Sequence, residues 1–521
     1  MSTSNTKQEP VFDLIKSMSK AEKRNFKLYA TRLSGNQDAK FLTLFDVFDS
    51  LDEYDEAKVL KKCPVVKKEQ LPNMKAHLYK QLLVSMRLLN VQHSVGMQIR
   101  EQIDFARILY DKGQYKQSQK YLDRAKELAD THEEHVMALQ IAETQKSIES
   151  LYVSRSMVNK STAMSRVASE LVKVVSNVNE LTNLSNILYS LHLKLGYVRS
   201  EKDIEVINRH FKPVLDKYTE KEKAEELSFT ERIYYFQSVV WYNYILHNFV
   251  ASYRYAQLWL NAYASNPHIR EAMYDNFIKG IARLLEALFL MNNYRRYKDT
   301  MERFIAAGEQ LRQLNVNAEI IYLQAYFVGK LNLHFLEGTF SEGLSLVPEI
   351  ERYLKQYANN IDLHHRMLLY YKIACMHFGD GNNKKAMEYL QKVISTRDPM
   401  VRRDLQCYAR ILHLIASYEA GMDYNLDYQL KAVYAFLVKM NDMHEVQREM
   451  IDFIKRLHTI YNTDFKGELK ALYERLLPYT THPYERRTFF YLDIISWLES
   501  KIREISVAEV RREKFLASKK P

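Results

Sequence analysis

The amino-acid sequence predicts an all-α fold, a solenoid of roughly nine stacked helix pairs with a helical module before it and a long capping helix after it. Three observations support this prediction. The 521 residues include only 13 glycines and 10 prolines, too little turn chemistry for a sheet-rich or loop-rich fold. The chain is too long for one compact core. From residue 98 onward, an apolar helix, a short polar turn and a second apolar helix recur.

The spacing of the turn signals predicts that these units form one array of at least 14 helices without a sheet, because the signals recur about every 40 to 50 residues. They lie near Gly113, Ser154, Gly196, His247, Asn292, Gly338, Gly381, Gly421 and Asp464. Prolines are expected between helix pairs, where a missing N–H is harmless. These are Pro213, Pro267, Pro399, Pro478 and Pro483. Pro348 lies inside a predicted helix, where we expect a kink or a break.

The clearest copy of the unit shows why each residue type is needed. Gly113 allows the left-handed backbone that ends a first helix, and Tyr115 packs back between the paired helices. Ser118 and Ala125 are small, so the two helices can approach closely. A second copy contains Tyr370, Ile373, Ala374, Gly381, Ala386, Leu390 and Val393. Both copies resemble the tetratricopeptide repeat family, which implies stacked antiparallel helix pairs with an inner groove.

Two further segments, 17–24 and 496–502, resemble a bacterial family of full-length tetratricopeptide-like proteins. That resemblance extends over most of the chain. It brings no activity with it.

The two ends of the chain differ from the middle, which predicts three regions. Residues 1–97 form a basic helical N-terminal module, with a capping box at Ser19 and Glu22 and a long helix that starts near Pro72. Residues 98–482 form the repeat array. Residues 483–521 form one long amphipathic capping helix, as far as about Leu516, and a basic tail.

The net charge of +11 is concentrated at the two ends. Residues 1–100 contain 17 basic and 11 acidic side chains, and residues 501–521 contain 7 and 3. The basic patch consists of Lys58, Lys61, Lys62, Lys67, Lys68, Asn73, His77, Lys80 and Arg87. Such a patch is either a solvated helix face or a face that binds the phosphates and base edges of a nucleic acid.

No pattern in the sequence indicates catalysis, a metal site or a cofactor. Cys63, Cys375 and Cys407 are scattered singly, as reduced thiols are in the cytoplasm. His132 and His135 have the spacing of zinc ligands but no third ligand nearby. The polar first ten residues contain no secretory signal, and no apolar run is long enough to span a membrane, so we expect a cytoplasmic protein.

The inner groove of a solenoid is lined by the first helix of each pair, so the register of the repeats predicts which side chains line the groove. The groove candidates are Arg100, Asp104, Arg107, Tyr110, Arg283, Glu286, Asn332 and Lys372. Some tetratricopeptide proteins hold a partner's C-terminal carboxylate with Lys, Asn and Arg. Equivalent positions here are Ile103, Arg107 and Tyr110, so that function does not carry over.

The sequence therefore predicts a non-enzymatic scaffold or adaptor that binds a peptide or helix of a protein partner in this groove. The alternative hypothesis is a regulator whose basic N-terminal module binds nucleic acid while the array acts as a sensor. The oligomeric state and the partner's identity stay open.

Overall fold

The structure, a computed structural model, shows only helices, turns and irregular segments in the residues that it describes. These residues are 9–32, 38–151, 158–223, 225–396, 398, 401–422, 426–440, 444–457, 465–486, 488–489 and 493–519. The chain divides into two compact units, Met1–Val175 and Ser176–Pro521. The region boundaries predicted at 97/98 and 482/483 stay predictions.

The helices of the first unit form two hydrophobic cores in succession, one among α1–α5 and one among α6–α8. The helices are α1 (Pro10–Ser17), α2 (Lys20–Arg32), α3 (Asp38–Ser50), α4 (Glu56–Lys62), α5 (Leu71–Asn90), α6 (Val95–Asp111), α7 (Tyr115–Thr131) and α8 (His135–Leu151). Short 3₁₀ turns cover Lys68–Gln70 and Val91–His93. The predicted capping box is confirmed, since Glu22 accepts from the Ser19 N–H at 2.7 Å and donates its own N–H to the Ser19 hydroxyl at 3.2 Å.

Helix α9 (Val158–Leu195) begins in the first unit and ends in the second. The second unit continues with α10 (Glu201–Lys223), α11 (Phe229–Ile245), α12 (Phe249–Ala264), α13 (Pro267–Ala272), α14 (Tyr274–Leu290), α15 (Tyr294–Leu311), α16 (Val316–Glu337), α17 (Phe340–Leu344), α18 (Val347–Gln356), α19 (Leu363–Gly379), α20 (Asn383–Ile394), α21 (Arg403–Glu419), α22 (Leu426–Lys439), α23 (Glu445–Leu457), α24 (Phe465–Leu476), a 3₁₀ turn (Leu477–Thr480), α25 (Ile494–Arg503) and α26 (Val507–Ser518).

Within each unit, helices that follow one another in sequence pack together, as they do in an α-solenoid. In the pair α6 and α7, the Ser118 hydroxyl donates to the carbonyl of Ala106 at 2.7 Å, and Leu122 and Ala125 are fully buried. Small side chains thus bring the two helices together where the sequence predicts a close approach.

The predicted turns are confirmed at seven of their nine positions by a left-handed backbone, with φ between 53° and 80°. These residues are Gly113, Gly196, His247, Asn292, Gly338, Gly381 and Gly421. Ser154 and Asp464 lie outside the described residues. At Gly338 the glycine is needed for space as well, because a Cβ there would lie 2.7 Å from the backbone nitrogen of Arg512 in α26.

The proline predictions have mixed outcomes. The expected break at Pro348 is confirmed, because α17 ends at Leu344 and Pro348 lies in the first turn of α18. The prediction that Pro213 separates two helix pairs is wrong, since it lies inside α10. That helix continues past the proline because Ile207, Leu215 and Tyr218 are all buried from it, which offsets the lost backbone hydrogen bond. Pro399 lies outside the described residues.

The prediction of one long C-terminal capping helix is also wrong, because two helices, α25 and α26, occupy its place. Glu504 ends α25 in the left-handed conformation with φ 57°. Ser506 and Glu509 then form a capping box that starts α26. α26 packs against α16, so the chain turns back onto the array and does not continue in a straight line.

Candidate binding cavity of the second unit

The second unit contains a partly open cavity of about 510 Å³, a size within the usual range of ligand sites. Its walls come from α9, α11, α12, α14, α15, α16 and α19 and from the connections after α9, before α19 and before α21. Aromatic side chains dominate them, among them Tyr189, His192, Tyr197, Trp241, Tyr244, Trp259, Phe289, Tyr297, Phe335 and Tyr371. Such walls exclude water and strengthen every polar contact inside the cavity.

An ion pair on α14 forms one side of the cavity. Arg283 Nη1 lies 2.5 Å from Glu286 Oε2, and the Arg283 guanidinium lies 4.8 Å from the centroid of the Trp241 ring. The Tyr244 hydroxyl donates to the other oxygen of Glu286 and accepts from the Tyr197 hydroxyl at 2.8 Å. Burial raises the pKa of Glu286, but the Arg283 charge and the Tyr244 hydrogen bond outweigh it, so the pKa lies below its ordinary value. The carboxylate is therefore ionised and internally neutralised.

Lys372 of α19 contributes a cation of a different kind. Its Nζ donates to Asn332 Oδ1 at 2.5 Å and lies 5.4 Å from the centroid of the Phe289 ring. In the described part of the chain, no carboxylate oxygen lies within 4.0 Å of this nitrogen. Burial lowers the pKa of Lys372 and outweighs the opposite effects of Cys375 and Glu286. Lys372 thus lacks the carboxylate partner that Arg283 has.

A second buried ion pair closes the cavity next to α21. Arg402 donates to both oxygens of Asp404 at 2.9 Å, and each of the two side chains is 5% exposed. Arg402 Nη1 lies 3.2 Å from His364 Nδ1 at the start of α19. Burial and the Arg402 charge lower the pKa of His364, so its Nδ1 accepts from the guanidinium.

His192 of α9 is held neutral by the same surroundings. It is 5% exposed, and its ring centroid lies 5.5 Å from that of Trp241. Burial, and after it the charge of Arg402, lowers the pKa of His192 to about 4. Burial among aromatic rings and the Arg402 charge outweigh the opposite effects of Asp404 and Glu286, so the imidazole is uncharged here.

The eight groove candidates divide between the two units. Arg283, Glu286, Asn332 and Lys372 all line the cavity. Arg100, Asp104, Arg107 and Tyr110 lie on α6 in the first unit.

The α6 group is a surface group. Asp104 pairs with Arg87 at 3.1 Å, and both side chains are more than 60% exposed. Arg107 pairs with Asp111 at 3.2 Å, and its guanidinium lies 5.1 Å from the Tyr110 ring centroid. Arg100 is exposed as well. These side chains do not line the cavity of the second unit.

Sequence reasoning missed several side chains that give the cavity its character, above all Arg402, Asp404, His192 and Trp241. Arg402 precedes α21, and the other three lie on α21, α9 and α11, outside the best repeat copies. Arg402 has φ 48°, in a connection where no glycine or asparagine marks a left-handed residue. The pair His364 and His365 stands out in the sequence, but nothing there indicates that Arg402 reaches it.

The members of the basic patch, from Lys58 to Arg87, are all exposed. Lys58 lies 3.7 Å from Asp55, and Arg87 pairs with Asp104 across α5 and α6. Exposure is compatible with a solvated helix face and with a phosphate-binding face alike. Nucleic-acid binding by this module stays a prediction.

Over the described ranges, no group of three His, Cys, Asp or Glu side chains is placed to hold a metal ion. His132 Nδ1 lies 3.0 Å from the Leu128 carbonyl oxygen, and His135 lies 2.9 Å from Glu133. In the same ranges, no helix combines the length and the apolar composition that crossing a membrane requires.

Comparison with known proteins finds one family. The model of the tetratricopeptide repeat matches residues 369–398, which include the second half of α19, all of α20 and the left-handed turn at Gly381. Residues 369–398 therefore match a tetratricopeptide repeat, and the helical fold of the described residues is tetratricopeptide-like. No curated protein and no solved structure matches it. The closer resemblance to a bacterial family of full-length tetratricopeptide-like proteins stays a prediction.

Proposed function

We propose that this tetratricopeptide-like protein is a non-enzymatic scaffold or adaptor, and that a segment of a protein partner enters the cavity of its second unit. Tetratricopeptide repeats generally mediate protein–protein interaction. The observation that supports this proposal is the meeting of Arg283, Glu286, Asn332 and Lys372 around one cavity. They come from α14, α16 and α19, three successive first helices of pairs, whose inner faces form the groove of a helical array.

The lining suits a peptide segment with a large apolar side chain. Aromatic walls supply the dry pocket in which such anchors contribute most of the binding energy. Gln324 and Asn360 also line the cavity, and amide side chains can both donate to and accept from a peptide backbone. An extended or helical segment would thus place one anchor in the aromatic pocket and its backbone along the amides.

Filling the cavity should test this directly. Ala282 lines the cavity on α14, so Ala282→Trp would occupy the space without removing a polar contact. Ala306 on the neighbouring helix α15 is exposed, which makes Ala306→Trp a matched control. Affinity purification from native cells with cross-linking, followed by quantitative mass spectrometry, would compare the two variants with the wild-type chain.

We expect the same partner to be recovered with the wild-type chain and Ala306→Trp, and to be lost with Ala282→Trp. A synthetic peptide from that partner should then bind the purified wild-type chain but not the Ala282→Trp variant. Recovery of the partner by all three chains would place binding elsewhere on the protein. A chain that is recovered alone, and that turns over a metabolite when purified, would contradict the proposal.

A further inference from the structure

The amine of Lys372 differs from an ordinary surface lysine in where it lies. It is half-buried in the wall of the cavity, and its nearest polar partner is the neutral amide oxygen of Asn332. Lys279 lines the same cavity but is 55% exposed and lies 3.4 Å from the carboxylate of Asp275. The two lysines therefore share a cavity but differ in solvation and in counter-ion.

The charged groups around Lys372 do not stabilise a proton on it strongly. From α14, Glu286 faces it, but that carboxylate is neutralised by Arg283. From the segment before α21, Arg402 adds a like charge, which Asp404 neutralises. On α19 itself, burial raises the pKa of the Cys375 thiol to about 12, so the thiol is uncharged at neutral pH. Asn332 Oδ1 can accept a hydrogen bond from either form of the amine, and its charge-assisted bond to the ammonium is the stronger of the two.

From this geometry we propose that Lys372 captures an aldehyde or ketone as a reversible imine inside the cavity. A lysine amine that is desolvated in an apolar cavity and has no carboxylate partner is in the arrangement that makes it nucleophilic. Burial also lowers the pKa of Lys372, which increases the fraction of neutral amine at a given pH. This covalent capture goes beyond the proposed peptide binding and does not depend on it.

The chemistry balances without an oxidant or a reductant. The lone pair of Nζ attacks the carbonyl carbon, and the carbonyl oxygen gains a proton to give a carbinolamine. The carbon–oxygen bond then breaks as the C=N bond forms. The oxygen leaves with the two amine hydrogens as one water molecule, and hydrolysis reverses the sequence. The hydrogen bond to Asn332 Oδ1 orients the nitrogen toward the cavity.

The shape of the cavity indicates the class of carbonyl compound. The Phe289 ring beside Nζ and the aromatic walls around it favour a flat, apolar body next to the carbonyl carbon. The pairs Arg283–Glu286 and Arg402–Asp404 are each neutralised within the protein, so they do not favour a ligand that carries several charges. An aromatic or branched aliphatic aldehyde fits this description.

Reductive trapping tests the proposal on the full chain. The purified protein would be treated with benzaldehyde and sodium cyanoborohydride at pH 7, and benzylated lysines would be quantified by peptide mapping. Lys279 is the internal reference. Because Lys372 is withdrawn from water and has no carboxylate partner, whereas Lys279 is solvated and paired with Asp275, we expect Lys372 to be labelled several-fold faster than Lys279.

Two variants complete the test. Lys372→Arg keeps the charge, and Lys372→Met keeps the length of the side chain, and either should remove the fast-labelled site while Lys279 reacts as before. Labelling of Lys372 at or below the rate of Lys279 in the wild-type chain would overturn the proposal, and this comparison requires no variant to fold. Fast labelling that persists at another lysine in both variants would overturn it too.

Discussion

Arginine–carboxylate pairs of the same chemistry have different surroundings in the two units. On α6 of the first unit, Arg107 and Asp111 are 66% and 56% exposed. In the second unit, Arg402 and Asp404 are 5% exposed, and Arg283 and Glu286 are about a quarter to a third exposed, toward a cavity. An exposed pair is screened by water and contributes little to stability, whereas a pair withdrawn from water can form part of a binding site.

The difference arises from what packs around each pair. Arg107 lies against one ring, that of Tyr110, and is otherwise open to water, which screens its charge. Arg283 lies over Trp241, while Tyr244 and Tyr197 complete a chain of hydrogen bonds to its partner Glu286. Aromatic walls lower the local dielectric, so a charge that loses its partner there is costly.

The largest effect should follow from removing Asp404. Asp404→Ala leaves the Arg402 guanidinium buried without its carboxylate, and breaking a buried pair in this way costs about 3–5 kcal/mol of unfolding free energy. Asp111→Ala is the matched change in the first unit, where we expect at most about 1 kcal/mol. Urea unfolding at pH 7 measures both.

Equal losses in the two variants would contradict the comparison, because they would mean that burial does not separate the two pairs. A loss of unfolding free energy in Asp404→Ala alone would support the comparison. In that case, hydrogen exchange should also increase in α19, whose His364 contacts the same arginine.

Acid should destabilise the second unit through His192. Its pKa is about 4 in the folded chain and 6.5 ordinarily, so below pH 6.5 the unfolded chain binds the proton more readily. The stability that the neutral imidazole contributes is fully present above pH 6.5 and is lost as the pH falls toward 4, by roughly 3 kcal/mol in total. The measurement is the urea midpoint between pH 7 and pH 4.5.

His192→Gln removes the titrating group, so the unfolding free energy of this variant should depend less steeply on pH. His364, whose pKa is also lowered, remains and accounts for part of the residual slope. A wild-type midpoint that stays constant from pH 7 to pH 4.5 would contradict the assignment of a neutral, buried imidazole.

Local chemistry made most of the fold predictable from the sequence. The turns at Gly113, Gly338 and Gly381 could be located because left-handed residues favour glycine. The capping box at Ser506 and Glu509 has a sequence signature too, but the apolar spacing beyond Pro483 led to the prediction of one continuous helix. Helix ends therefore depend on short signals that a long hydrophobic pattern can mask.

The site was predictable only in part, because its depth depends on contacts between distant segments. The register of the helical repeats predicted that Arg283 and Lys372 line the groove, but it predicted the same of Arg107, which is exposed on α6. His192 lines the same cavity as Arg402, although about two hundred residues separate them in sequence. Helical periodicity gives no information on which distant residues come together, so the sequence alone could not separate a shallow surface groove from a deep, partly open cavity.

The smallest expected effects come from adding one methyl group to a helix in each unit. In α15 of the second unit, a Cβ on Gly308 would lie 1.8 Å from the ring of Tyr322, which is itself 1% exposed and packs against Phe304. In α6 of the first unit, a Cβ on Gly96 would meet no atom closer than 3.7 Å, an ordinary contact with Met137. The two substitutions are chemically identical but differ in the packing around them.

Gly308→Ala should therefore lower the unfolding free energy by about 1–3 kcal/mol, because the Tyr322 ring must move within a packed core. Gly96→Ala should raise it by up to about 1 kcal/mol, because alanine loses less backbone entropy than glycine in a helix. Urea unfolding of both variants in the same buffer shows whether each substitution raises or lowers the unfolding free energy. Destabilisation by Gly96→Ala as large as that by Gly308→Ala would mean that the first unit is packed as tightly as the second, and the contrast between the two units would then not extend beyond their ion pairs.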